Sequence, residues 1–130
     1  MRVFLADDSA AIRGRVASLL ATRAMDVVGQ AETPQASIRA ILAAQPDVVV
    51  LDVQLDGGTG LEVLRAVRRA EPGIAFVVFS NNAGAAYRRR YLAEGAFAFL
   101  DKSTEFLKPA GAVSAARSAP PIVSTAGPAA

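Results

Sequence analysis

Asp7, Asp8, Asp52, Ser80 and Lys102 are the side chains of this 130-residue chain whose types and settings could do chemistry together. Each follows a short apolar run. Val3-Phe4-Leu5-Ala6 stops on Asp7-Asp8, Val48-Val49-Val50-Leu51 on Asp52, Ile74 to Phe79 on Ser80, and Phe97-Ala98-Phe99-Leu100 on Asp101-Lys102. Three carboxylates at close quarters repel, by about 4 kcal/mol per pair at 4 Å for an effective dielectric near 20, so a cation must sit among them. Magnesium suits the group: it takes oxygen ligands, holds on through one or two carboxylates, and keeps waters and a phosphate oxygen in its octahedron. Manganese is the alternative with the same ligand preference. Asp7 and Asp8 are then metal carboxylates, direct or through water. Asp52 also touches the metal and serves as a nucleophile toward phosphorus, as carboxylates do when they form acyl phosphates.

Phosphoryl transfer asks mainly for position and for positive charge around the equatorial oxygens. Lys102 supplies one such charge, and Ser80 a hydroxyl that can donate to a phosphoryl oxygen. The backbone carbonyl of Gln54 can complete the metal shell. The chain is rich in arginine and holds only two lysines, Lys102 and Lys108; lysine is the compact point charge suited to a phosphate.

The elements that must position these groups are legible in the apolar pattern. Val48 to Leu51, entered through Pro46 and Asp47, has no polar alternation and reads as a strand buried on both faces of a parallel sheet. Val3 to Ala6 is a second such strand. Ser9 then caps a helix carrying Ile12, Val16, Leu19 and Leu20 at helical spacing, with Arg13, Arg15 and Arg23 on its other faces. Asp26 to Ala31 is a weaker strand, followed by Thr33-Pro34 as cap and first turn of a helix with Ile38, Ile41 and Leu42 inward. After Asp52 the glycine-rich loop Leu55-Asp56-Gly57-Gly58-Thr59-Gly60 leads to a helix opened by Thr59 or Gly60, with Leu61, Leu64 and Val67 inward.

Ile74 to Phe79 is the next strand. The helix after it carries Tyr87, Tyr91 and Leu92 beside Arg88-Arg89-Arg90, and Gly95 stops it. Phe97 to Leu100 is the fifth strand, and a last helix of thin apolar face lies between Phe106 and Arg117. The residues from Pro120 to Ala130 read as a disordered tail, so residues 1–119 form one domain and 120–130 its appendage. Strands alternating with helices predict an α/β fold, a five-stranded parallel sheet with right-handed crossovers and helices on both faces. The carboxyl ends of such strands share one edge, where ligands bind in open α/β sheets. Four strands bring Asp7/Asp8, Asp52, Ser80 and Lys102 to it.

Composition excludes other chemistries. The chain has no histidine and no cysteine, which removes Ser-His and Cys-His pairs, thiolate or imidazole metal sites and disulfides. Its longest apolar runs are strand-length and far short of the roughly 20 residues that span a bilayer. Asp7 and Asp8 cut off the first apolar run before it could act as a secretory segment. The expectation is a cytoplasmic protein without membrane insertion, and a formal charge of +2 does not argue for direct nucleic-acid binding.

On Asp7-Asp8, Asp52, Ser80 and Phe99 three before Lys102, the chain resembles the receiver domain of two-component response regulators over about its first 117 residues. The resemblance implies a flavodoxin-like, three-layer doubly wound fold with strand order 2-1-3-4-5. It implies Asp52 phosphorylated from the phosphohistidine of a histidine kinase or histidine phosphotransfer protein, in keeping with the missing histidine. It further implies magnesium on Asp7, Asp8, Asp52 and the Gln54 carbonyl, Ser80 and Phe99 as a switch pair, and phosphorylation-dependent dimerisation as one form of output. Such a domain promotes its own phosphorylation and dephosphorylation and turns over no external substrate; its downstream target is not written in the chain. Three departures stand out. The final helix is short and alanine-rich, which weakens the case for dimerisation through the usual face of fourth helix, fifth strand and fifth helix. Asp56 replaces the usual proline four residues after the phosphoacceptor, which would loosen that loop. Ser103 replaces the proline that usually follows the lysine, leaving the usual cis peptide there an open question.

Rival readings exist for each residue. Asp7-Asp8 could cap the first helix, Ser80 could be a turn serine and Phe99 a core aromatic; Arg88-Arg89-Arg90 reads as a solvated helix face, with a docking patch as its alternative. For the whole chain the rivals are a magnesium-dependent phosphatase using an aspartyl phosphate, of the haloacid-dehalogenase type, and a docking module that never accepts phosphate. The phosphatases carry a second carboxylate two residues after the nucleophile, where this chain has Gln54.

Overall fold

The computed structural model describes residues 1–81, 84–104 and 108–118, without the side chains of residues 117 and 118. Its elements run β1 (Arg2–Ala6), α1 (Ala10–Ala21), β2 (Asp26–Ala31), α2 (Pro34–Ala44), β3 (Val48–Leu51), β4 (Gln54–Leu55), β5 (Gly58–Thr59), α3 (Gly60–Ala70), β6 (Ala75–Ser80), α4 (Ala85–Ala93), β7 (Ala98–Asp101) and α5 (Pro109–Ser118). Five strands form one sheet in the order β2-β1-β3-β6-β7, parallel at every pairing. That is the expected 2-1-3-4-5 arrangement once β4 and β5, a separate antiparallel hairpin, are set aside.

β3 lies at the centre because it has nothing polar to show on either face: Val48, Val49 and Leu51 are wholly buried and Val50 nearly so. Alternate residues feed two cores. Phe4, Val49, Leu51, Phe76 and Val78 face Ile41, Val63, Leu64, Val67 and Tyr91, the side of α2, α3 and α4. Val3, Leu5, Val48, Val50, Val77 and Phe79 face Val16, Leu20, Ala110, Val113 and Ala116, the side of α1 and α5. Burying one such side chain is worth about 1.5–3 kcal/mol, so the two cores supply most of the drive to fold.

Local signals start the helices where expected. Ser9 Oγ accepts the Ile12 N–H, and Thr33 Oγ1 that of Ala36, each with an extended cap residue. At α3 the Glu62 carboxylate reaches back to the Thr59 N–H at 2.9 Å. Three expectations change and one open question is answered. Val63 joins Leu64 and Val67 on the inward face of α3, while Leu61 is only partly buried. The residues after Asp52 form a hairpin rather than a loosened loop: Gly57 turns it at φ +82°, and the Asp56 N–H bonds the Glu32 carbonyl at 2.9 Å. No described peptide is cis, so the bond after Lys102 is trans. The last helix starts at Pro109, later than the sequence suggested, and three small side chains suffice to seat it. Phe106 and everything from residue 119 on, the expected tail included, lie outside the described residues.

Candidate functional site

Strand register decides which residues meet at the carboxyl edge. Ala6 pairs with Leu51, and the Asp52 N–H then bonds the Ala6 carbonyl at 2.9 Å, so Asp7 and Asp52 emerge side by side one step beyond the last paired residues. On the other flank Ser80 pairs with Asp101, and the Lys102 N–H bonds the Ser80 carbonyl at 3.0 Å. Lys102 thereby starts from the far side of the edge and reaches back. Its Nζ lies 2.7 Å from Asp7 Oδ2 and 3.0 Å from Asp52 Oδ2, a bridge between residues distant in sequence. All three are buried, with 6%, 7% and 8% exposure for Asp7, Asp52 and Lys102.

Buried charges persist only when paired and hydrogen-bonded. Burial is the largest influence on Asp7 and pushes its carboxyl up. The Lys102 ammonium and the Ser9 N–H, 2.9 Å from Oδ1, pull it back without cancelling the rise. Burial likewise opposes the charge on Lys102, but hydrogen bonds to Asp7 and Asp52 outweigh it and hold the ammonium above its ordinary value.

Asp8, next to Asp7, points to solvent, and one carboxylate oxygen each from Asp7, Asp8 and Asp52 lie within 4.8 Å of one another. This oxygen-only donor set, open on the Asp8 side, is able to hold a hard divalent cation. The Gln54 side chain is exposed, while the Gln54 backbone N–H points back at Asp52 Oδ1 at 3.4 Å. Ser80 stands at the end of β6, 1% exposed, on the same edge. Phe99 lies one strand over with its ring in the α4-side core.

Three residues have roles that the sequence reading did not assign. Gly60 opens α3 with its Cα hard against the end of β3: a Cβ there would fall 2.1 Å from the Asp52 carbonyl oxygen. Its N–H bonds the Val53 carbonyl at 2.7 Å, so only glycine lets the helix start so close to Asp52. Arg13, placed by the sequence on a face of α1 other than the apolar one, folds over the strand ends. Its Nη1 donates to the Asp7 carbonyl, its Nε to Gln30 at 3.0 Å, and its Nη2 to Glu32 at 3.3 Å. Arg88 corrects the reading of the triple arginine as a solvated face. It is half-buried and donates to the Phe99 carbonyl at 2.9 Å, while Arg89 and Arg90 are exposed. Helical phase could have flagged Arg88, which sits three before the buried Tyr91.

With this geometry in place, a family model described as the response regulator receiver domain matches residues 3–108. The chain is 32% identical over 103 residues to the response regulator GacA of Pseudomonas viridiflava, covering 78% of this chain and 48% of that protein. It thus spans about half the length of that relative. A LuxR-family two-component response regulator from Aurantimonas superposes with a TM-score of 0.85 at 26% identity, over 90% of this chain and 84% of that one. The response regulator domain of Thermotoga maritima CheB superposes with a TM-score of 0.82 at 26% identity, over 93% and 98%.

Proposed function

The chain belongs to the response regulator receiver domain family, and from that premise we propose that Asp52 accepts a phosphoryl group from the phosphohistidine of a histidine kinase or phosphotransfer protein. The observation that carries the reading is the Lys102 ammonium bridging Asp7 and Asp52 inside an acidic pocket at the strand ends. An Asp52 oxygen attacks phosphorus, the bond from phosphorus to the donor nitrogen breaks, and the histidine leaves with its electron pair. The carboxylate is held for this by its buried seat and by the ion pair to Lys102, which keeps it aimed. As negative charge spreads over the phosphoryl oxygens, Lys102 has an ammonium within reach to balance it, and Ser80 a hydroxyl to donate.

Asp7, Asp8, Asp52 and the Gln54 carbonyl are the groups that would hold magnesium, or manganese in its place, beside the acceptor. Bound there, the ion supplies further positive charge against the phosphoryl oxygens. Hydrolysis of the acyl phosphate returns the domain to its starting state, with no external substrate turned over. Movement of Ser80 toward the phosphoryl group, followed by Phe99, alters the face that a downstream protein reads, with dimerisation one form that output can take. Coupling of this kind is worth about 1–3 kcal/mol, or 5 to 150-fold in partner affinity. We place the domain in the cytoplasm with its kinase; no helix among the described residues is long and apolar enough to cross a membrane.

Incubation with phosphoramidate or acetyl phosphate and magnesium, followed by intact-mass measurement, tests the proposal. One added phosphoryl group, absent from Asp52→Ala, is expected. An unchanged mass, or an adduct that survives that substitution, overturns it. Turnover of p-nitrophenyl phosphate would instead point to a phosphatase.

A further inference from the structure

Phe99 is not merely packed in the core; two residues of α4 grip it from outside. Arg88 and Tyr91 are three apart, so they share one helix face and project onto the same stretch of β7. The Tyr91 ring meets Phe99 edge-on, with centroids 5.9 Å apart and planes at 61°. The Arg88 guanidinium carbon stands 5.3 Å from the Phe99 centroid while Nη1 donates to the Phe99 carbonyl at 2.9 Å. The ring is 2% exposed beneath them. Tyr91 also reaches the other way, its hydroxyl 3.5 Å from the carbonyl of Val53, the residue that follows Asp52.

Register places this grip beside the chemistry. Val78 pairs with Phe99 and Ser80 with Asp101, so Phe99 and Ser80 lie on the same face of the sheet, on neighbouring strands. Asp101 shares that face. The Ser103 hydroxyl and N–H, and to a smaller degree the Arg88 charge, hold its carboxyl below the usual range. A surface arginine with no such role would extend into solvent, as Arg89 and Arg90 do.

We infer that Arg88 and Tyr91 form a clasp that keeps the Phe99 ring in its buried position, and that Arg88 is thereby a positioning residue tuning how readily the site takes up a phosphoryl group. The tuning rests on the reading of Asp52 as phosphoacceptor and of Ser80 and Phe99 as its switch. The clasp stands on the contacts alone. If Ser80 moves toward a phosphoryl group, it vacates room on the face where the buried ring sits, so the buried ring and the occupied site favour one another. A contact that stabilises one of two coupled states strengthens binding of whatever favours that state, by the same factor. Arg88 makes that contact in the absence of any phosphoryl group. It pre-pays part of the switch.

The test uses the whole 130-residue chain, as wild type, Arg88→Gln and Arg88→Lys, with urea midpoints checking that each is folded. Aromatic NMR of the protein without magnesium or fluoride should show a single ordered Phe99 ring close to Tyr91 in the wild type. In Arg88→Gln the ring should average between positions and lose its proximity to Tyr91. Titration with magnesium and beryllofluoride should then give about fivefold weaker apparent affinity in Arg88→Gln, the size of a single cation-to-ring contact at a partly solvated position. Arg88→Lys should recover part of both, since it restores a charge over the ring without the planar fork. Unchanged Phe99 signals in Arg88→Gln overturn the clasp, and an unchanged affinity overturns the tuning. Wild-type protein that binds no beryllofluoride overturns the phosphoacceptor reading and the tuning with it; the Phe99 signals then decide the clasp by themselves.

Discussion

The backbone around Asp52 and helix α4 border the same edge of the sheet, but they are held in place by different means. At Asp52 the main chain is tied on both sides, by the bond from its own N–H to Ala6 and by Gly60 donating to Val53, while the side chain is locked to Lys102 inside a buried pocket. Helix α4 seats itself through one buried side chain, Tyr91, with Arg88 half-buried beside it, and leaves Tyr87 and Leu92 exposed at 47% and 40%. On the proposed function, the contrast is a division of labour. A group that does chemistry gains from being over-determined, since small misplacements cost rate, whereas an element that reports chemistry must have two arrangements close in energy.

The contrast can be broken most severely at Lys102. Replacing it with methionine leaves Asp7 and Asp52 buried without their cation and should cost about 3 kcal/mol in urea unfolding at neutral pH. Added magnesium should recover part of that loss, because the carboxylates regain a counter-charge. A variant as stable as wild type without magnesium would show that the pocket is not held by the ion pair.

Gly60→Ala comes next. The new Cβ would sit 2.1 Å from the Asp52 carbonyl oxygen, so either the start of α3 or the end of β3 must move. The expected loss is about 2 kcal/mol, together with failure of the phosphorylation assay. Full stability and a normal mass shift would mean that the corner yields more easily than its geometry implies.

The last effect belongs to α4, shows only at alkaline pH, and sharpens the comparison from the other side. Burial, above all, pushes the Tyr91 phenol from 10.0 up to about 12. The unfolded chain loses this proton first, so the stability it contributes is present below pH 10 and is lost as pH rises from 10 toward 12. The decline should amount to about 2 kcal/mol, read from urea midpoints between those values. Tyr91→Phe should remove that part of the decline while costing little at neutral pH, since the bond to Val53 is long at 3.5 Å. An equal decline in Tyr91→Phe would mean that another group titrates.

Much of this molecule was legible before any coordinates. The apolar runs that stop on Asp7, Asp52, Ser80 and Lys102 disclosed both the strands and the edge they share, and Ser9 and Thr33 marked their helices. These are local signals: side-chain period, capping chemistry and the need of an unbroken apolar run for cover on both faces act over a few residues.

What tertiary structure alone decided is which of two adjacent acids is buried and which way an arginine turns. Asp7 goes in and Asp8 out because the strand alternates sides as it leaves the sheet. Arg13 and Arg88 turn inward, unlike Arg15 and Arg89, because carbonyls left over at strand ends and an aromatic face lie within reach there. Gly60 matters because α3 begins against the end of β3. Each outcome depends on residues brought together by register from distant parts of the chain, and register is set by the packing of the whole sheet, which no short stretch of sequence contains.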